Sequence, residues 1–277
     1  MKKTQYGGNM KKFIKLLSIL LCLCMLTGIL ASCQMPPFFF WPFGETKKDD
    51  SIFKFELNDD QESYTLVGFK SSSVTYYESL VLPDYYKGMP VTAVDGMAFA
   101  TIPGLQIKQL HLPETMTTIQ EDSFWHCDAI ESVVIGPNVT GIEQSAFSHC
   151  ENLKAVYGCQ NVQYIEDRAF WDCPSLCEFY FSDTLTHIGI SAFEETALTY
   201  VRIPDSVRTI EVYAFSECTS LTEMRIPETV ETIEGGIVFG CTNLKSILCQ
   251  PSKKPDGWSY SWSWDCEEYV QWGVYGN

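Results

Sequence analysis

Positive charge is scarce in this sequence. Its 277 residues include 19 lysines and arginines against 35 aspartates and glutamates, a formal net charge of −16 at pH 7. The first 32 residues carry five lysines and no acid, so the rest of the chain carries −16 − 5 = −21. Such a charge repels nucleic-acid phosphates and anionic lipid headgroups, and we expect no nucleic-acid partner. The acidity is typical of a soluble surface, with weak binding of divalent cations as the alternative.

The sequence also has no recognisable catalytic motif. It contains neither G-x-S-x-G nor H-E-x-x-H, and it has no glycine-rich phosphate loop. Its serines and acidic residues are spread along the chain rather than gathered in one segment. We therefore expect a protein that binds a partner rather than an enzyme, with no catalytic residue and no cofactor.

Long apolar runs are limited to residues 16–30. This run of 15 residues is shorter than the roughly 20 that a helix needs to cross a bilayer. Lys11, Lys12 and Lys15 precede it, an order that is typical of a signal peptide. We assign residues 1–32 to that leader.

The apolar run ends in Leu30-Ala31-Ser32-Cys33, which resembles the lipobox of bacterial lipoproteins. The resemblance implies that Cys33 is diacylated and becomes the first residue of the mature protein. It also implies a location outside the cytoplasm, at the cell surface, with the lipid anchor as the only membrane contact. The alternative is an ordinary signal peptide followed by an incidental cysteine.

Residues 33–50 are rich in proline and aromatic residues. Prolines such as Pro36, Pro37 and Pro42 stiffen a chain and discourage helix and sheet, so we predict a tether. Alternatively, the aromatic side chains rest in the membrane interface, where such rings are favoured.

A repeat of about 23 residues organises the rest of the chain. Each unit carries a phenylalanine at one fixed position, and the spacings are 25, 23, 23, 23, 22 and 24 residues. These residues are Phe99, Phe124, Phe147, Phe170, Phe193, Phe215 and Phe239. A strict period of this length indicates stacked coils, in which each unit covers the apolar face of its neighbour. The sequence near Val156 alternates apolar and other residues, which predicts one parallel strand in each coil.

This pattern, V-T-x-I-x-x-x-A-F-x-x-C-x-x-L-x-x-V-x-I-P, resembles the BspA-like leucine-rich repeat over about residues 80–251. The resemblance implies an α/β, β-dominated right-handed solenoid with one parallel sheet and a loop or short-helix return face. It implies a surface protein concerned with attachment. We predict an N-terminal β cap at 51–89, seven repeats at 90–251 and a Trp-rich C-terminal cap at 252–277. The long first repeat should be locally irregular, and so should the seventh, which contains Gly235-Gly236 and has Phe239 displaced by one position.

The 12 cysteines favour packing over a disulfide framework. Five of them share one repeat position: Cys127, Cys150, Cys173, Cys218 and Cys241. Since Thr196 and Ile102 fill that position in other coils, we predict a column of small buried side chains. Cys249 and Cys266 could bridge the last coil to the cap.

Two histidines precede cysteines of this column in successive coils, His126 and His149, and Asp172 follows in the same row. Stacked imidazoles near thiols suggest zinc. However, buried cysteines would point inward and their neighbours outward, so we expect no metal site.

Residues that alternate with the buried ones should face outward on the sheet. In the middle coils these positions form a Tyr/Arg strip bordered by acids: Tyr157, Tyr180, Tyr200, Arg202, Arg225, Glu178 and Glu223. Tyrosine and arginine are enriched at binding hot spots, so the strip is the predicted ligand-binding site. The alternative is ordinary cross-strand packing on a solvated sheet.

Three functions fit the sequence. The first is adhesion through the strip to an extracellular protein or polysaccharide, and the second is a structural scaffold in the cell envelope. The third is a glycan-binding accessory protein, suggested by Trp258, Trp262, Trp264 and Trp272, although a cap needs the same residues to seal the last coil.

Overall fold

The computed structural model of the chain describes residues 52–70, 75–100 and 102–274. The predicted leader (1–32) and tether (33–50), with the lipidation site Cys33, lie outside these residues. The described residues form a β-solenoid of about nine turns with almost no helix. Within these ranges, no helix has the length and apolar character that crossing a bilayer requires.

Short strands make up nearly all the regular structure of the described residues. In chain order they are β1 (Phe53–Leu57), β2 (Tyr64–Phe69), β3 (Tyr76–Tyr77), β4 (Leu80–Val81), β5 (Tyr85–Tyr86), β6 (Met89–Val94), β7 (Gln106–Ile107), β8 (Leu110–His111), β9 (Thr118–Ile119), β10 (Ser132–Val134), β11 (Gly141–Ile142), β12 (Ala155–Tyr157), β13 (Tyr164–Ile165), β14 (Glu178–Phe179), β15 (His187–Ile188), β16 (Tyr200–Arg202), β17 (Thr209–Ile210), β18 (Glu223–Ile226), β19 (Thr232–Ile233), β20 (Ser246–Cys249) and β21 (Val270–Trp272). The helix α1 spans Met97–Ala100, and 3-10 helices span Cys159–Asn161 and Glu267–Tyr269.

The predicted solenoid is confirmed, with one correction to its sheets. A first set of parallel strands runs in the order β4-β8-β10-β12-β14, and β16-β18-β20-β21 form a further ladder. The return path, predicted to be loop or short helix, forms a second parallel sheet in the order β9-β11-β13-β15-β17-β19. It forms because one isoleucine recurs in every coil: Ile142 lies in register between Ile119 and Ile165. β-branched residues favour such pairing, and the strand bonds satisfy buried backbone groups.

The N-terminal segment forms a mixed sheet that leads into the coils. Strand β1 pairs antiparallel with β2, and β2 runs parallel to β6. Strand β4 then pairs with β8 and begins the first parallel sheet. The first repeat is irregular, because it contains α1. The ring of Phe99 lies 28° from parallel to that of Phe124 in the next coil.

The repeated phenylalanines stack into a spine through the core. The rings of Phe147 and Phe170 lie 5.3 Å apart and 3° from parallel, and those of Phe170 and Phe193 lie 5.2 Å apart. All three side chains are 1% exposed or less. Such contact between rings adds about 0.5–1.5 kcal/mol per pair to the stabilisation from burial.

The seventh phenylalanine, Phe239, which the sequence shows displaced by one position, does not join the spine. The backbone N–H of Phe215 donates to the carbonyl of Ile237, so Val238 takes the next spine position and is fully buried. The ring of Phe239 packs on Tyr213 at 6.3 Å instead. The irregularity predicted at Gly235-Gly236 thus consists of a change in which apolar residue points inward.

The predicted column of buried cysteines is confirmed. Its five members, Cys127, Cys150, Cys173, Cys218 and Cys241, are at most 3% exposed. Four of these thiols donate to the phenylalanine carbonyl of the preceding coil, for example Cys150 to Phe124 and Cys173 to Phe147, both at 3.0 Å. Burial raises the pKa of the Cys173 thiol well above its usual value. The column therefore satisfies backbone acceptors inside the core.

Cys249 and Cys266 do not form the disulfide that the sequence suggested. Both are free and buried, and burial raises the pKa of Cys249 to about 12 and that of Cys266 to about 11. The thiol of Cys266 donates to the carbonyl of Val238 at 3.6 Å, so Cys266 extends the thiol column by one coil.

Three tryptophans seal the C-terminal end. Trp258 bridges to Ile233, and its indole Nε1 donates to the carbonyl of Val230 at 3.0 Å. Its ring lies 5.0 Å from that of Trp262 and 5.8 Å from that of Trp272. Because β21 also pairs with β20, this segment is built as one more, atypical coil.

The third coil departs from the repeat at Gly158. This residue has a φ of 88°, and a Cβ there would lie 2.2 Å from the carbonyl oxygen of Ile135. The next residue, Cys159, is fully buried. The glycine therefore lets the chain turn close to the neighbouring coil, and the following thiol fills the core.

We expect Gly158→Ala to lower the free energy of unfolding by about 1–3 kcal/mol, from left-handed strain and the clash with Ile135. Gly104→Ala is the matched control, since Gly104 also has a positive φ of 73° but has nothing within 4 Å of a new Cβ. Urea unfolding followed by circular dichroism measures both. Equal losses for the two variants would contradict the role of close approach.

Candidate ligand-binding face

The predicted strip lies on the solenoid surface, with its three tyrosines in solvent. Tyr157, Tyr180 and Tyr200 are 39%, 52% and 46% exposed. Arg202 and Glu178 are exposed, whereas Glu223 and Arg225 are half-buried. Alternation along the strands therefore placed these side chains outward. It failed at Ala155, which the pattern also put on the surface and which is 3% exposed.

The N-terminal half of the strip is organised around one tyrosine–carboxylate contact. The hydroxyl of Tyr157 donates to Glu178 Oε2 at 3.1 Å across neighbouring strands. Partial burial and the Glu178 carboxylate raise the pKa of Tyr157, so its hydroxyl stays a donor at neutral pH. Burial, with Asp183 nearby, also raises the pKa of Tyr180.

The C-terminal half is a cluster of tyrosine, arginine and glutamate. Arg225 Nε donates to Glu223 Oε1 at 2.8 Å, and its guanidinium lies 5.8 Å from the centre of the Tyr200 ring. The hydrogen bond to Glu223 raises the pKa of Arg225. Since a partly exposed ion pair contributes about 0–1 kcal/mol, its main effect is to hold the guanidinium in place.

Arg202 differs from Arg225 in having no ion-pair or hydrogen-bond partner among the described residues. It lies in register with Arg225 on the adjoining strand. Because Arg225 is held by Glu223, the Arg202 guanidinium is the cation available to a carboxylate or carbonyl group of a ligand. It offers five N–H donors in a planar fork.

The strip is divided between two ladders, which the sequence did not predict. Strand β14 ends one ladder and β16 begins the next. Phe179 and Phe181 stand where other coils have smaller side chains, and both contact Phe193, at 4.9 and 5.2 Å. The fifth coil is also one residue shorter, between Thr196 and Leu198. The structure thus joins Tyr157 to its acidic neighbour and Arg225 to Tyr200, without a continuous strand ladder between the two halves.

The histidines that suggested zinc form a stack instead. The rings of His126 and His149 lie 4.5 Å apart and 8° from parallel, and His149 Nδ1 lies 2.7 Å from Asp172 Oδ2. Parallel stacking points the ring nitrogens of the two residues side by side rather than toward one point. Among the described residues, no group of three or more His, Cys, Asp or Glu could hold a metal ion.

An open acidic groove lies next to this stack. It is lined by Asp172, Glu194, Glu195 and Glu217, together with Thr196. Partial burial, with Glu195 and Glu217 close by, raises the pKa of Glu194.

Sequence reasoning missed two exposed aromatic residues on the turns between strands, Trp125 (42% exposed) and Tyr213 (37% exposed). Trp264, which the sequence offered either for glycan binding or for the cap, is 50% exposed. The available signal was the displacement of Phe239 by one position, which indicated a change of side-chain direction.

Comparison with known proteins places these features in a family. The profile of the BspA type leucine rich repeat region matches residues 72–198 and 186–256, in six copies. No curated protein that was compared with the chain matches it.

Several solved structures are similar to this chain. The T. pallidum leucine rich repeat protein (TpLRR) is 24% identical over 72% of this chain and 91% of its own, with a TM-score of 0.62. A leucine-rich repeat protein from Eubacterium ventriosum is 26% identical over 72% of this chain and 42% of its own, with a TM-score of 0.42. The pneumococcal vaccine antigen PcpA is 14% identical over 75% of this chain and 76% of its own, with a TM-score of 0.44. The likeness to TpLRR shows a shared fold, and the profile covers well over half of the sequence: this chain belongs to the BspA type leucine rich repeat family.

Proposed function

We propose that this protein is a non-catalytic binding protein, held outside the cytoplasm by a lipid on Cys33, that captures an extracellular protein or polysaccharide through the Tyr/Arg strip. The observation that supports it most is the exposure of three tyrosines beside Arg202, which has no partner among the described side chains. Tyrosine buries a large area at low entropic cost, and arginine forms directed hydrogen bonds.

The division of the strip favours a folded protein as the partner. Its halves present different chemistry: Tyr157 and Tyr180 with an acid, then Tyr200 with two arginines. An interface of standard size involves about 20–30 residues on each side, so one protein surface can cover both halves.

The test replaces Tyr157, Tyr180 and Arg202 with alanine in the full-length protein on living cells. Chemical cross-linking, followed by identification of the captured molecules, compares this variant with the wild type. We expect the variant to capture at least about tenfold less partner than the wild type. The reason is that truncation of a hot-spot residue costs about 2 kcal/mol or more of binding free energy.

A matched control removes Tyr85, Trp125 and Lys253, two exposed aromatic residues and one exposed cation outside the strip. This control should capture the partner as the wild type does. Unchanged capture by the strip variant would refute the site. Recovery of envelope proteins alone by both variants would favour the scaffold function.

A further inference from the structure

A row of aromatic side chains lies on the turns of the last three coils. Tyr213, Phe239 and Trp264 belong to successive coils, with ring centroids 6.3 Å apart for the first pair and 6.0 Å for the second. Tyr213 is 37% exposed and Trp264 50%, and Phe239 is half-buried. We call these three residues the aromatic platform. Tyr260, 93% exposed, lies in the same coil as Trp264.

The core does not require these rings. The backbone N–H of Cys241 donates to the carbonyl of Val238, as that of Cys127 does to Phe124. The N–H of Cys266 donates likewise to Ser263, so Val238 and Ser263 occupy the spine positions of the last two coils. Both residues are buried, which leaves the aromatic residue that follows each of them pointing outward. Apolar rings kept in solvent beside a complete core are typical of binding surfaces.

Tyr213 differs from the residues at the same turn position of the preceding coils. Its φ is 59°, a left-handed conformation that is uncommon for a bulky residue. The corresponding turn position in the three preceding coils is held by Ser145, Arg168 and Ser191, which carry polar side chains. The left-handed backbone is therefore a property of the repeat, and this coil differs from the preceding ones in placing a partly exposed aromatic ring there.

Glycines let the side chains of the platform lie close to the backbone. A Cβ at Gly236 would lie 2.7 Å from the Tyr213 ring, and one at Gly240 would lie 2.4 Å from the Glu217 carboxylate. The Tyr213 ring and the Glu217 carboxylate therefore rest directly on the backbone on either side of Phe239. The result is a low surface with aromatic faces and polar groups at its edge.

The polar edge supplies hydrogen-bonding groups of both kinds. The carboxylate of Glu217 is an acceptor, and the hydroxyls of Tyr213, Ser259 and Ser261 donate and accept. The two serine hydroxyls lie 3.2 Å apart.

We propose that the aromatic platform binds an uncharged polysaccharide of hexopyranose units that runs along the solenoid axis. A pyranose ring has an apolar C–H face, which packs on an aromatic ring, and equatorial hydroxyls, which bond to groups at the edge. Three rings in a row match a ligand that repeats along its length. This site is separate from the Tyr/Arg strip and does not depend on it.

Charged ligands fit the platform less well. The net charge of −16 disfavours an anionic polymer. Recognition of a cation uses rings arranged around it, whereas these rings lie in sequence, tilted by 61° and 59° from one coil to the next.

The test is electrophoresis of the full-length protein in native gels that contain galactomannan, mixed-linkage β-glucan or soluble starch. We expect at least one of these polymers to retard the protein. Trp264→Ala and Phe239→Ala should each weaken that binding by about tenfold or more, as hot-spot truncations do. Phe239→Trp, which keeps a ring at this position, should retain binding.

Trp125→Ala is the matched control, because Trp125 is exposed at the corresponding turn position of an earlier coil. It should migrate as the wild type does. Thermal melts establish that each variant is folded. The proposal is overturned if none of the three polymers retards the protein, or if Trp264→Ala and Trp125→Ala behave alike.

Discussion

Replacing Phe170 with alanine is expected to lower the free energy of unfolding by about 3–5 kcal/mol. The side chain is fully buried, and its ring lies 5.3 Å from that of Phe147, 5.2 Å from that of Phe193 and 5.1 Å from that of Phe179. The coils on both sides are held by strand hydrogen bonds, so they cannot close the cavity. Equilibrium urea unfolding followed by far-ultraviolet circular dichroism measures the loss.

Phe239→Ala is the control, because Phe239 is the phenylalanine of the seventh repeat but is displaced by one position from the spine. It should cost about 1 kcal/mol or less, since Val238 fills the spine and the Phe239 ring is only half-buried. Equal losses of unfolding free energy in the two variants would show that the Phe239 ring belongs to the spine, which would contradict the structure.

Replacing Cys33 with alanine is expected to move nearly all of the protein from the membrane fraction to the soluble fraction. Each buried CH₂ of an acyl chain contributes about 0.8 kcal/mol, and two chains are needed for stable anchoring. Without the thiol there is no site for either the diacyl group or the processing that depends on it. Cell fractionation and labelling with a radioactive fatty acid measure the two effects.

Cys177→Ala serves as the control, since Cys177 is the exposed free thiol among the described cysteines. It should leave the fractionation and the label unchanged. A Cys33→Ala protein that stays with the membrane and keeps its label would refute the lipid anchor.

The core of the solenoid could be predicted from the sequence. A period of about 23 residues forces equivalent side chains into columns, so Phe147 stacks on Phe170 and Cys150 lies over Cys173. The choice between disulfide framework and packed thiols also followed from the period, because a column of cysteines interrupted by Thr196 indicates a need for size rather than for pairing.

The binding face could be predicted only in outline. Alternation along the strands identified Tyr157, Tyr180 and Tyr200 as outward residues, and they are exposed. It could not show that Arg225 is held by Glu223 or that Arg202 is left without a partner, because these outcomes depend on side-chain directions across neighbouring coils. Nor could it show the division of the ladder, since Phe179 meets Phe193 only after the coils have stacked.

By itself, the sequence determined that this chain stacks coils around a column of phenylalanines, because burial of a repeated apolar face has few other solutions. Tertiary structure alone decided which of two adjacent apolar residues, Val238 or Phe239, enters that column. The two are equivalent in hydrophobicity, and the choice is made by the backbone path through Gly236 and Gly240 and by the coil that follows. That choice completes the core with the smaller side chain and leaves an aromatic ring on the surface, beside Tyr213 and Trp264.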